Sequence, residues 1–310
     1  TSNSALSTSG NYIVGSSTIT PSAAIGGTFT ITNYSVTYAT GTLTINAKEL
    51  TVANITANAK VYDGLTTSTL NTGTAAFVGI VGTDVVTINV ASAVGTFASA
   101  NVGTAIAVTI AGVAKAGVDN ANYTITQPAT TANITARGLT VTASNQTKTY
   151  GDSVLGTALF TSSGLQNSET IGSATLTSNS ALSTSGNYIV GSSTITPSAA
   201  IGGTFTITNY SLTYATGTLT VNAKALTVSN ITANAKVYDG LTTSTLNTGT
   251  AAFVGVVGTD VVTINVASAV GTFASANVGT GISVTIAGVA KAGVDNTNYT
   301  ITQPTTTANI

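Results

Sequence analysis

The groups in this chain that could do chemistry are few. It has no His and no Cys, which excludes Ser-His and Cys-His nucleophile pairs and thiolate metal sites. Nine carboxylates remain among 310 residues. Asp63, Asp84 and Asp119 lie far apart in sequence, mostly beside Gly, Asn or Thr. That setting reads as turn aspartates, since Asp bonds its own backbone two residues on. Asp119-Asn120 and Asp295-Asn296 are the candidate oxygen donors for Ca²⁺, a cation that wants six to eight oxygens. No Asp-x-Asp-x-Asp ladder accompanies them, and an Asx-turn is the other reading. No residue set points to catalysis, and no cofactor is implied.

Tyrosine is the other recurring chemical group. Tyr34, Tyr123, Tyr210 and Tyr299 each follow an Asn. Their rings could stack on a sugar. The favoured reading is a packed corner whose hydroxyl bonds backbone, as in the tyrosine corner of sandwich domains. Tyr62, Tyr150 and Tyr238 sit beside Asp63-Gly64, Gly151-Asp152 and Asp239-Gly240, and read as core tyrosines next to tight turns. The neighbouring Lys60, Lys148 and Lys236 are expected to snorkel. Thr-x-Thr runs such as Thr204-Phe205-Thr206 read as the wet face of a strand.

These residues recur on a fixed ruler. Thr1-Ser2-Asn3-Ser4-Ala5-Leu6 returns as Thr177-Ser178-Asn179-Ser180-Ala181-Leu182, and the 134 overlapping residues differ at nine positions, Ala105/Gly281 and Ile45/Val221 among them. The 176-residue unit is itself double. The Asn-Tyr pairs at Asn33, Asn122, Asn209 and Asn298 are spaced 89, 87 and 89 apart, and Tyr62, Tyr150 and Tyr238 stand 88 apart. The module is therefore about 88 residues, in two alternating types. Copying a single active site whole gains little, whereas an array gains length and avidity. Residue 1 matches 177 and Ile310 matches Ile134, so two full repeats would need 42 further residues. The expectation is an excerpt of a longer array.

The elements that carry these residues are strands. Thr42-Leu43-Thr44-Ile45 and Ile282-Ser283-Val284-Thr285-Ile286 alternate apolar and hydroxyl residues, one face on a core and one in water. The phase flips at the Asn-Tyr pairs, which demands a bulge, corner or turn. The Gly26-Gly27 pair marks another turn. Thr74 to Val81 is ambiguous between strand and helix. Short strands at roughly 8–12-residue intervals imply an all-β sandwich. Junctions at Asn46–Val52, Thr135–Val141 and Asn222–Val228 contain no Pro and no polar linker, so nearly continuous strands should run from module to module.

Composition limits the partners. Charged residues are 5% of the chain and the net charge is −1, against about a quarter charged in ordinary domains. Such a surface offers no field for nucleic acid or anionic lipid, and no apolar run is long enough for a spanning helix. Weakly charged faces resist self-association poorly, so other copies of the chain are expected partners, along with neighbouring modules.

Lys60-Val61-Tyr62-Asp63-Gly64, Asn101-Val102-Gly103-Thr104 and Gly117-Val118-Asp119 with Asn122-Tyr123 resemble the YDG domain of bacterial surface proteins. Lys148-Thr149-Tyr150-Gly151-Asp152 and Asn209-Tyr210 resemble the MBG domain. The resemblance implies tandem Ig-like β-sandwich modules in an elongated rod: residues 1–48 the C-terminal part of an MBG-like module, 49–136 YDG-like, 137–224 MBG-like and 225–310 YDG-like. It further implies a non-catalytic repeat region of a large filamentous-haemagglutinin-like adhesin, extracellular or on the bacterial surface, with host or cell-surface glycans or proteins as partners. A self-assembling filament or sheath and a glycan-binding module stand as the alternatives.

Overall fold

A computed structural model describes residues 1–310 except Gly26 and Val154. It is all-β, and the only helical pieces among the described residues are four single-turn 3₁₀ helices. They lie at Ile31–Asn33, Asn120–Asn122, Ile207–Asn209 and Asn296–Asn298. Each ends directly before the tyrosine of an Asn-Tyr pair, which is where the apolar phase of the sequence reverses. The 3₁₀ turn supplies the odd residue that moves the next strand's side chains to the other face. The ambiguous stretch after Thr74 contains the short strand Ala76–Val78. Of the Gly26-Gly27 pair, Gly26 lies outside the described residues.

The chain groups into two compact units. One comprises Thr1–Arg137 with Thr206–Ser211, the other Gly138–Phe205 with Leu212–Ile310.

In the first unit, Gly15–Ile19 pairs antiparallel with Gly41–Ile45. Downstream, a five-stranded sheet runs in the order Lys60–Val61, Ala129–Thr135, Gly103–Ala111, Val94–Phe97, Thr67–Ser68. A three-stranded sheet joins Tyr123–Ile125, Lys48–Ala53 and Ala76–Val78. The alternating residues of these strands fill the interior, with Leu50, Phe97, Val108 and Ile134 almost wholly buried. Their hydroxyl-bearing neighbours point to water, so the Thr-x-Thr runs are the outer face of the pleat.

The second unit repeats this arrangement and adds to it. Its first part has a four-stranded sheet in the order Gln146–Thr149, Gly217–Asn222, Gly191–Gly203, Ile171–Ser178. The outermost strand runs parallel to its neighbour, Gln146 opposite Leu219 and Thr149 opposite Asn222. Its second part rebuilds the sheets of the first unit from Lys224–Ser229, Ala252–Val254, Val270–Phe273, Ile282–Ala287, Tyr299–Ile301 and Thr305–Ala308. One cluster of buried side chains joins the two parts: Ala143, Tyr150, Ile195, Leu219 and Val221 with Leu226 and Tyr299. Between Gly217–Asn222 and Lys224–Ser229 only Ala223 intervenes. That leaves no slack for a flexible linker.

Candidate functional site

The best-organised polar site in each unit is built around two aspartates that sequence spacing does not bring together. In the second unit they are Asp260 and Asp295, both buried. A turn closed by Gly186 N–H donating to Ser183 O at 2.9 Å presents Ser183, Thr184 and Ser185 to them. Thr184 donates its amide to Asp295 Oδ1 at 3.2 Å and its hydroxyl to Asp295 Oδ2. Val261 N–H reaches the same Oδ2 at 2.8 Å. Ser185 N–H donates to Asp260 Oδ1 at 3.1 Å, while Ser185 Oγ donates to Val257 O and accepts from Thr259 N–H, both at 2.8 Å.

Two tyrosines complete the cluster. Tyr299 donates its hydroxyl to Asp260 Oδ2 at 2.6 Å and accepts Val257 N–H at 2.9 Å. Tyr150 donates to the same carboxylate oxygen, with no exposed surface of its own. The two rings meet edge to face at 5.2 Å. Asn298, directly before Tyr299, accepts Val190 N–H at 3.0 Å. Every one of these bonds connects residues from the first part of the unit to the second, or braces a residue that does.

The first unit carries the same clamp. Thr8 donates its amide and hydroxyl to Asp119 at 3.1 and 2.5 Å, and Val85 N–H joins them at 2.8 Å. Ser9 N–H donates to Asp84 at 3.0 Å, Tyr123 OH to Asp84 at 2.7 Å, and Val14 N–H to Asn122 Oδ1 at 2.9 Å. The position equivalent to Tyr150 falls before residue 1. A third Asn-Tyr pair works likewise within this unit. Asn209 Oδ1 accepts Val102 N–H and its Nδ2 donates to Asn101 Oδ1, both at 2.9 Å. Tyr210 packs edge to face on Tyr62 at 5.3 Å. The Asn-Tyr pair is thus a docking element: Asn accepts the backbone N–H of a valine in the preceding module, and Tyr fills the seam.

Electrostatics agree with a structural role. Burial works to raise the Asp260 carboxyl, but the hydroxyls of Tyr150 and Tyr299 and the Ser185 donors outweigh it and hold the group at about 2. Asp84 is held at about 2 chiefly by Tyr123, against burial and with help from Ser9. Asp119 and Asp295 are lowered, first by the hydroxyls of Thr8 and Thr184. Burial, then the bond to Asp260, pushes Tyr150 up to about 12 and raises Tyr299 as well. Acids near 2 and phenols near 12 make poor proton shuttles at neutral pH. The carboxylate oxygens of the Ca²⁺ candidates Asp119 and Asp295 face N–H and O–H hydrogens, so the geometry gives them the role of acceptor in a clamp. Among the described residues no group of three or more acidic side chains gathers around a common point.

The remaining sequence-derived residues form turns. Gly64, Gly151 and Gly240 have φ of 73°, 85° and 77°, the left-handed region that favours glycine. Asp63 Oδ1 accepts Leu65 N–H at 2.9 Å and Asp239 Oδ1 accepts Leu241 N–H at 3.0 Å. Lys60 ties its turn together through Asp63 at 2.7 Å and the carbonyls of Leu65 and Thr67, its ammonium 5.4 Å from the Phe97 ring centre. Lys236 repeats this with Asp239 and Leu241. Two expected core tyrosines differ: Tyr34 is 65% exposed and Tyr238 58%. Their counterparts Tyr210 and Tyr62 are buried by packing on each other, and neither Tyr34 nor Tyr238 has that partner. Tyr123, Tyr210 and Tyr299 are buried, so their faces are not offered to a sugar.

Strand content, clamped seams and a two-part repeat define a tandem all-β structural array. The YDG domain family model matches residues 46–132 and 222–308, more than half of the chain, which therefore belongs to the YDG domain family. Between the two matches, residues 139–220 match the MBG domain of YGX type. No curated protein matches the chain.

Proposed function

We propose that the chain is a non-catalytic repeat region of a bacterial extracellular or cell-surface adhesin, serving as a spacer that gives reach and attachment. The alternation of YDG and MBG domains, which are structural repeat types, supports it. One observation carries the reading: the best-ordered ionisable groups spend their lone pairs and protons on holding one module to the next. A site built for turnover would leave at least one of them facing a substrate.

Solution scattering of the purified chain tests this. Strands rise about 3.3 Å per residue, so a spacer of these modules should reach on the order of 130 Å. A compact particle would refute the spacer role. Display of the chain on cells that do not otherwise adhere should raise their attachment to a surface or to one another.

A second reading, lateral self-assembly, draws on one observation. Val118 and its counterpart Val294 are about four-fifths exposed on a surface nearly free of charge. Mass that grows with concentration into multi-stranded fibres would favour it over the monomeric spacer.

A further inference from the structure

Chain order and strand direction together decide how a module meets tension. In a parallel pair, the N-terminal end of one strand and the C-terminal end of the other lie at opposite ends of the ladder. Tension carried along the chain reaches the earlier strand from its N-terminal side and the later strand from its C-terminal side. A parallel ladder between an early and a late strand is therefore sheared, with every rung loaded at once. In an antiparallel pair the same two ends lie together, and the rungs open one at a time.

The YDG module closes with two parallel ladders of this kind. Its entering strand, Lys48–Ala53, runs parallel to Tyr123–Ile125, with Lys48 opposite Tyr123 and Leu50 opposite Ile125. Thr126 N–H donates to Leu50 O at 3.2 Å just beyond the last pair. Further along, Lys60–Val61 runs parallel to the end of Ala129–Thr135, and Tyr62 N–H donates to Thr135 O at 2.9 Å. The second YDG module repeats the first ladder, with Lys224 opposite Tyr299 and Leu226 opposite Ile301. The MBG ladder is longer. Gln146–Thr149 runs parallel to Gly217–Asn222 over four residue pairs, and Tyr150 N–H donates to Asn222 O at 2.8 Å. Leu50, Ile134, Leu219 and Val221, which lie in these ladders, are almost wholly buried. Rungs set on a core are less open to water than those of an exposed edge.

We propose that these parallel ladders bear tension, so that each module resists being pulled apart along the chain. This function is strength rather than reach. It belongs to each module and stands whether or not the chain serves an adhesin. Shear of the MBG ladder must break its four residue pairs within roughly 3 Å, about one hydrogen-bond length. Peeling the same ladder from one end breaks one pair for roughly 6.6 Å of chain released, about 3.3 Å from each strand. For equal energy per pair, shear needs a force on the order of ninefold higher. Stretching of the sheet lowers that ceiling, and a ratio of at least about threefold is expected.

The test is single-molecule force spectroscopy on the full chain. It has no Cys, so two introduced cysteines define the points of pulling. Ala136→Cys with Ala225→Cys loads the MBG ladder in shear, because Gln146–Thr149 is reached from its N-terminal side and Gly217–Asn222 from its C-terminal side. Ser153→Cys with Ala225→Cys reaches both strands from their C-terminal sides and peels the same ladder. All three positions are exposed, and both variants should melt with the unaltered chain. Exposed Thr157→Cys replaces Ser153→Cys if that variant melts early. Rupture force is compared at one loading rate, since forced unfolding follows the unfolding rate, and each event is identified by the chain it releases. The shear pair should rupture at a force at least about threefold above the peeling pair. Equal forces, or a lower force in shear, overturn the proposal. Such a failure would leave the spacer reading standing, because scattering measures reach and pulling measures strength.

Discussion

Replacing Asp260 with Ala should weaken the second unit more than the matching Asp84→Ala weakens the first. Asp260 accepts Ser185 N–H and the hydroxyls of Tyr150 and Tyr299. Asp84 accepts Ser9 N–H and Tyr123 OH, and among the described residues no second tyrosine hydroxyl is bonded to it. A hydrogen bond to a charged group contributes about 1.5–3 kcal/mol, and a buried donor left without a partner costs about 1–3 kcal/mol. The donors share one carboxylate, so their effects overlap rather than add. We expect roughly 3–5 kcal/mol for Asp260→Ala and a smaller loss for Asp84→Ala. For a unit of this size about 1 kcal/mol moves the melting point by roughly 2–4 °C. Asp260→Ala should therefore lower the Tm of the second unit by about 6–20 °C. Scanning calorimetry reads this as a separated early transition. Tyr150→Phe should be destabilising alone and nearly silent on top of Asp260→Ala, a coupling of about 1–2 kcal/mol. If Asp260→Ala and Asp84→Ala shift melting equally, or if Tyr150→Phe is additive with Asp260→Ala, the clamp is not what joins the two parts.

Other consequences can be checked alongside. The folded-state values of Asp84 and Asp260 lie at about 2, below the ordinary 3.8, so their contribution is complete above about pH 4 and is lost as pH falls toward 2. Urea midpoints followed by circular dichroism should be flat from about pH 5 to 8 and drop between about pH 4 and 2. Asn209→Ala removes an almost fully buried side chain that bonds both Asn101 and Val102, and should cost about 2–3 kcal/mol. The same change at exposed Asn33 should stay within about 0.5 kcal/mol. Ala105 has φ of 50° where the second copy has Gly281 at 63°, so Ala105→Gly should stabilise the first unit by about 1 kcal/mol. A loss of stability there would contradict the strain argument.

The strands and turns were legible because their signals are local. Alternation places Leu43 and Ile45 on one face, Gly64 and Gly151 carry the positive φ of their turns, and the phase reversal at each Asn-Tyr pair demanded the 3₁₀ corner found there. The clamp was not legible. Thr184 and Asp295 are 111 residues apart, Ser185 and Asp260 75 apart, and a lone Ser-Thr-Ser beside a Thr-Asp has no spacing that distinguishes it from loop. The signal that existed was the repeat itself. Ser183-Thr184-Ser185, Asp260 and Asp295 recur unchanged as Ser7-Thr8-Ser9, Asp84 and Asp119, while nine other positions drifted. Reading the Asn-Tyr tyrosines as isolated corners missed that their neighbours lie in the preceding module. That is why Tyr34 and Tyr238, which among the described residues have no counterpart of the Tyr62–Tyr210 contact, do not follow the pattern.

Carbon-detected NMR titration of the aspartate carboxyls tests the central claim most directly, because it asks what these lone pairs are used for. Carboxylates committed to neighbouring modules should titrate near 2 at Asp84 and Asp260 and below the ordinary range at Asp119 and Asp295. Millimolar calcium should leave all four signals in place. Midpoints in the ordinary carboxylate range, or calcium-dependent shifts at Asp119 and Asp295, would mean that the aspartates face solvent or a ligand rather than the adjoining module.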